Sequence, residues 1–152
     1  MNDISQQRST LSILEGEWRG SGEIFPNPWG GFGPTDTQWE FNWDRSRTFL
    51  LCDCVESRSD GSTFSAHGVL GIDPGNGTPL WWLFDSYGYP PLAPAQGEWE
   101  GDALVLTKET PRGTGRTSFA VRDGALHVLI ESRVTGEAKF GRVMAGTFAR
   151  VA

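Results

Sequence analysis

The sequence predicts an all-β protein, an antiparallel up-and-down barrel of about ten strands preceded by a short helix. Three observations lead there. Apolar and polar residues alternate with a period of two over most of the chain beyond residue 16, the mark of strands with one covered face. Tight-turn signals such as Asp60-Gly61, Asp73-Pro74-Gly75-Asn76-Gly77 and Asp123-Gly124 separate these runs and suit hairpins. No helical segment is long enough to make the crossover that a parallel strand pair requires.

The elements follow in order. Residues 1–14 form the N-terminal helical segment, with Leu11, Ile13 and Leu14 behind a Ser9-Thr10 start, enough for one or two turns plugging a barrel end. Residues 14–25 hold the most informative stretch, Gly16-x-Trp18-x-Gly20-x-Gly22. A large ring between glycines on one strand face needs a place where backbone comes close or bends hard, as at the closed end of a small barrel. Residues 27–34 are a Pro- and Gly-rich loop carrying Trp29 and Phe32, either a lid over a cavity mouth or a loop tacked to the rim by its rings.

Residues 37–44 alternate cleanly, placing Trp39, Phe41 and Trp43 on one face. Strands are then expected over residues 48–56, 63–72 and 79–87, and, past the Pro-rich loop 89–94, over 97–100 and 103–108. Residues 111–115 read as a turn, and strands over 116–122, 125–134 and 139–151 close the chain. No internal repeat, composition break or linker divides it, so residues 1–152 are read as one domain.

Composition narrows the function classes. With a net charge of −6 and only 13 Lys and Arg, scattered along the chain, the surface repels a phosphate backbone and nucleic-acid binding is disfavoured. No apolar run reaches the length of a membrane span, and the first 14 residues lack a basic start and an apolar signal core, so a cytoplasmic protein is expected. Cys52 and Cys54 alternate on one strand, with Cα atoms about 6.5–7 Å apart, near the upper limit for a disulfide. Free, buried thiols are expected, with no metal site, since Asp53 between them faces the other way.

Two features together carry a family resemblance: the Gly16-Glu17-Trp18 strand after a short helix, and a last strand ending Thr147-Phe148-Ala149-Arg150. They resemble the calycin superfamily of lipocalins, fatty-acid-binding proteins and nitrobindin-like barrels, and the resemblance implies that Trp18 packs against Arg150 as a structural pair. The order Leu14-x-Gly16-x-Trp18-x-Gly20-x-Gly22, Pro28-Trp29, Asp73-Pro74-Gly75, Phe84-Asp85-Ser86-x-Gly88 and Gly97-x-Trp99 is similar to the bacterial DUF1579 family, which has no established reaction. A nitrobindin-type haem site uses a His shortly before the final strand. Residues 137–143 contain none, so no haem or other cofactor is expected.

Seven Trp in a barrel wider than eight strands favour a lumen its own side chains do not fill. The expected function is therefore binding of a small, largely hydrophobic molecule. Rings from Trp29, Trp39, Phe41, Trp43, Trp82 and Trp99 would supply contact, and His67, Asp85 or Tyr87 would orient a polar group. Two of these have an alternative. The Trp39, Phe41, Trp43 stripe either lines a pocket or fills the core, and Asp85 either faces the lumen or caps the turn at Gly88. Residues 80–87 are apolar on both faces, which makes a homodimer plausible. The competing class is an enzyme using acid-base chemistry on a hydrophobic metabolite, with Asp53, His67, Asp85, Tyr87, Arg116 and Glu131 as the available groups. No catalytic residue is assigned, because there is no Gly-x-Ser-x-Gly elbow and no recognised metal motif.

Overall fold

The computed structural model describes residues 3–28 and 31–151. Helix α1 spans Ile4–Leu11 and runs into a 3-10 turn at Ser12–Leu14. Ten strands follow: β1 Gly16–Ile24, β2 Gly33–Trp43, β3 Leu50–Arg58, β4 Thr63–Ile72, β5 Pro79–Asp85, β6 Ala95–Glu100, β7 Ala103–Thr110, β8 Gly113–Arg122, β9 Ala125–Val134 and β10 Gly141–Arg150. Each strand pairs antiparallel with its sequence neighbour, and β10 returns to β1 to close the barrel. Closure leaves no strand without a partner on either side.

The helix begins five residues before the Ser9 start read from the sequence. Asp3 is its cap: the carboxylate accepts the Ser5 N–H at 3.0 Å, satisfying one of the orphan donors of the first turn. Ile4 packs against the core, and Leu11 and Leu14 are fully buried beneath the barrel end. The Trp18 indole N–H donates to the Leu14 carbonyl at 2.9 Å, tying the 3-10 turn to the first strand. The Arg150 guanidinium lies 4.0 Å over the Trp18 ring and donates to the Glu15 and Ile13 carbonyls. This end of the tube is sealed.

Three strands, β2, β6 and β8, start earlier than their sequence signals suggest. Residues 111–115 read as a turn, but the hairpin needs only Pro111 and Arg112, and Gly113 and Gly115 already pair with Thr110 and Lys108. Gly113 has φ +141°, and the Arg133 carbonyl occupies the space a Cβ would need. It is a strand glycine forced by close approach. Likewise Gly33 and Pro34 belong to β2, opposite Ile24 and Glu23, with Pro34 at the strand start where a missing N–H is tolerated.

Glycines on β1 and β10 make room for a ring. Phe148 is fully buried, and a Cβ on Gly146 would stand 2.5 Å from its ring, one on Gly20 3.1 Å from it. Gly20 on β1 and Gly146 on β10 thus leave space for the Phe148 ring, while a Cβ on Gly22 would crowd the Thr35 hydroxyl and the Ala145 carbonyl instead. At Gly68 a Cβ would overlap the Trp81 indole nitrogen, so β4 carries no side chain where that indole crosses it.

At the centre of the lumen Phe119 meets three rings edge-on: Trp39 at 5.2 Å, Phe41 at 5.5 Å and Trp81 at 5.6 Å between centroids. Trp39 and Phe41 also stack at 6.0 Å. These contacts fill the half of the barrel nearer the helix. Cys52 and Cys54 are inside this wall and unbridged, as their spacing indicated. Among the described residues no helix is long and apolar enough to cross a membrane.

Candidate functional site

The other half of the barrel holds a cavity of about 680 Å³ between β5, β7 and β8, beneath the loop 86–94. Two features of the chain open it. Strand β6 begins only at Ala95 and pairs with β5 at just two positions, Leu80 with Gln96 and Trp81 with Ala95. Leu83 and Asp85 on β5 therefore extend past their β6 neighbour. On β8 the cavity-facing positions 113 and 115 are glycines, and a Cβ on Gly115 would meet nothing within 4 Å.

The floor is apolar, made of Trp81, Ala95 and Leu106, all at most 5% exposed. Leu83 forms one wall, and Tyr89, Pro90, Leu92 and Ala93 arch over the mouth. Leu92 is 90% exposed, so the arch offers apolar surface to a guest and to solvent alike. Across it Arg112 lies 4.0 Å over the Tyr89 ring, a cation-π contact linking the 86–94 loop to the β7–β8 turn.

Polar groups sit on the walls. Asp85 faces the cavity, and one carboxylate oxygen accepts the Tyr87 backbone N–H at 3.0 Å. Tyr87 is held from behind: both Arg58 terminal nitrogens lie 3.3 Å from its hydroxyl, and Arg58 Nε donates to the buried Glu56 carboxylate at 2.9 Å. Burial disfavours the Arg58 charge, but the bonds to Tyr87 and Glu56 outweigh it and raise its pKa above the ordinary guanidinium value. On the opposite wall Lys108 follows Leu104 and Leu106 in period two along β7 and lines the cavity half-buried.

The structure separates the residues singled out from the sequence. Asp85 and Tyr87 are brought together at the cavity, and strand parity places Asp85 inward with Phe84 outward. Trp39 and Phe41 do not line the cavity. They are packed rings, because Phe119, which the sequence reading did not single out, enters between them from the far wall. Trp43 and Trp99 are at the helix end, Trp43 donating from its indole to the Ser12 hydroxyl at 3.1 Å and Trp99 beside α1. His67 and Trp82 are on the outer face, where their strand parity puts them: His67 pairs with Asp53 in solvent, while Ala66 takes the inward position. Trp29 lies outside the described residues, and the described part of the 27–34 loop contributes nothing to the cavity lining.

The six groups available for acid-base chemistry are not assembled either. Arg116 and Glu131 form an outer-face pair at 3.1 Å, Asp53 and His67 form another, and His127 sits on the outside near the Thr147 hydroxyl, 3.3 Å away. Neither histidine reaches the cavity. Among the described residues no group of three or more His, Cys, Asp or Glu is placed to hold a metal ion.

The site residues missed from the sequence are those of the β7–β8 hairpin, above all Leu106, Lys108 and Arg112. Period two along residues 103–108 would have put Leu104, Leu106 and Lys108 on one face. The short reach of β6, which turns that face into a cavity wall, has no local signal.

No family model matches the chain, and no curated protein matches it. Solved structures do. The crystal structure of Rv2717c from M. tuberculosis aligns with a TM-score of 0.74 at 18% identity, over 99% of this chain and 100% of that one. EF1p2_mFAP2b, solved bound to DFHBI, aligns with a TM-score of 0.50 at 14% identity, over 95% and 99%. At these identities the likeness is one of fold.

Proposed function

We propose that the protein binds a small, largely apolar molecule in the cavity under the 86–94 loop. The observation that carries this reading is the cavity itself, about 680 Å³ with a floor of Trp81, Ala95 and Leu106. That volume falls within the range of about 300–1,000 Å³ usual for small-molecule sites. A lining that is mainly apolar with a few placed polar groups, Asp85, Tyr87 and Lys108, is the pattern such sites share. The barrel solved with DFHBI supports the idea that this architecture can host a guest. The motifs that resemble the DUF1579 family support a calycin-type placement without adding a reaction. Two buried, unbridged thiols fit a reducing compartment such as the cytoplasm.

Trp81 forms the floor and serves as the reporter. Titration of intrinsic Trp fluorescence with fatty acids, retinoids and aromatic acids should give a saturable change with at least one class. Native mass spectrometry of the protein as purified should show whether a molecule travels with it. No response to any apolar class would end this reading.

The outer face of β3 to β5 exposes Leu51, Val55, Trp82 and Phe84, each 40–50% accessible. An apolar patch of this kind is the surface on which a second copy would sit. Sedimentation of the intact protein and of a Trp82→Glu variant checks it: a dimer lost on substitution supports the patch, and a monomer throughout removes it.

A further inference from the structure

Resting on the ligand-binding reading above, we infer that the guest is an aromatic monocarboxylic acid whose acid group is held by Lys108.

Lys108 and Arg112 are the two cations that line the cavity, and among the described residues Lys108 makes no hydrogen bond, ion pair or ring contact. The Lys108 stem is partly buried along the cavity wall, and a bound anion would give its ammonium the charge-assisted partner the chain does not supply. Its cross-strand neighbour is Gly115, where open space replaces a side chain. That leaves room beside the ammonium for a ligand group.

The other charges narrow the class. Asp85, also at the cavity, already accepts the Tyr87 N–H and repels a second negative group. Glu109, exposed beside Lys108, also lines the cavity and adds to that repulsion. Arg112 is engaged with the Tyr89 ring. A single free ammonium facing a carboxylate suits one negative charge and not a phosphate, which would draw on several cations or a nest of N–H groups. The remaining contacts are aromatic: Trp81 on the floor, Tyr87 and Tyr89 at the mouth. Flat rings stack on such surfaces with more contact than a flexible chain gains.

The test is calorimetric titration of the full chain with 2-naphthoate and its neutral isostere 2-naphthamide. Wild type should bind the acid about tenfold or more tightly than the amide, as expected for a charge-assisted hydrogen bond. Lys108→Met, which keeps the apolar stem, should abolish that preference by lowering acid affinity about tenfold, to the level of the amide, and Lys108→Arg should restore it. Thermal unfolding of both variants confirms folding. Equal binding of acid and amide by wild type, or a preference that survives in Lys108→Met, overturns this inference and leaves the apolar-ligand reading standing. Binding of a fatty acid or retinoid but neither naphthyl compound overturns the aromatic class alone. No binding of any apolar probe overturns both readings.

Discussion

Phe119 stands edge-on to Trp81, with ring centroids 5.6 Å apart and planes at 81°, and this contact divides the lumen. On one side Trp39, Phe41 and Phe119 pack ring against ring. On the other, Trp81 becomes the floor of the cavity. Phe119→Ala should therefore act twice. It removes a fully buried ring at a cost of about 3–5 kcal/mol, and it extends the cavity toward the helix end. Urea denaturation measures the first effect, and tighter binding of longer ligands by the variant measures the second.

Arg150 closes the opposite end, stacked on Trp18 and bonded to the Glu15 and Ile13 carbonyls. Arg150→Met loses the stacking and the charge-assisted bonds together and should cost about 1–3 kcal/mol. Arg150→Lys should recover less than half of that, because an ammonium lacks the planar fork that reaches ring and carbonyls at once. Chemical denaturation of the three proteins checks the order.

The cavity wall and the outer face make opposite forecasts for neighbouring residues. Leu83→Trp fills the cavity and should weaken binding of any guest by about tenfold or more. Trp82→Ala, one position earlier but on the outside, should leave affinity unchanged. Titration with whichever probe binds wild type separates them, and equal losses in both would place the site elsewhere.

Burial pushes both thiols well above the usual cysteine range, with Cys54 and Asp53 adding to the effect at Cys52 and Glu56 at Cys54. Thiolate is the reactive form, so the native protein should resist a disulfide reagent such as DTNB at about pH 8. Both thiols should react once guanidinium unfolds the chain.

Asp44 sets an acid limit. The Thr48 N–H at 2.8 Å holds its pKa below the ordinary carboxylate value against the opposing effect of burial, with the Phe49 N–H and the Ser46 hydroxyl assisting. Its pKa is lower folded than unfolded, so the unfolded chain binds more protons in that window and stability rises with pH through it. The contribution is complete above the ordinary carboxylate value and disappears as pH falls through the lowered one. Asp44→Asn should make the thermal midpoint less pH-dependent between about pH 2 and 5. Part of the slope should remain, since Arg122 lowers Asp102 and Ser62 lowers Asp60 in the same way.

The barrel was legible because its determinants are local. Alternation along residues 37–44 and 63–72 and the Asp-Gly turns specify strands and hairpins without reference to the rest of the chain. Which inward rings fill the lumen and which border a space was not legible. That outcome depends on Phe119 arriving from the other side of the tube, a contact eight decades of sequence away from Trp39. Period two showed which residues share a face, Asp85 with Tyr87 and Trp82 with Phe84, but not which face is inward, so Trp82 was grouped with Asp85 although it lies on the outside. For His67 the deciding fact was the register with β5, which sets Ala66 opposite Asp85 and leaves His67 opposite Phe84. Glycine spacing in β1 pointed to backbone crowding, whereas the partners that crowd it, the Thr147 carbonyl at Gly20 and the Ala145 carbonyl at Gly22, lie at the far end of the chain.

The β5–β6 ladder has two rungs, Leu80 with Gln96 and Trp81 with Ala95, while every other seam of the wall is zipped over five positions or more. The weakest stitching in the tube thus runs alongside the cavity. If the cavity holds the proposed guest, parting of these two rungs would widen its way out, and residence time should then follow how often the two strands separate. Backbone amides of Trp81 and Gln96 should exchange with deuterium sooner than those of β2 or β9, and a bound molecule that bridges the slit should slow them.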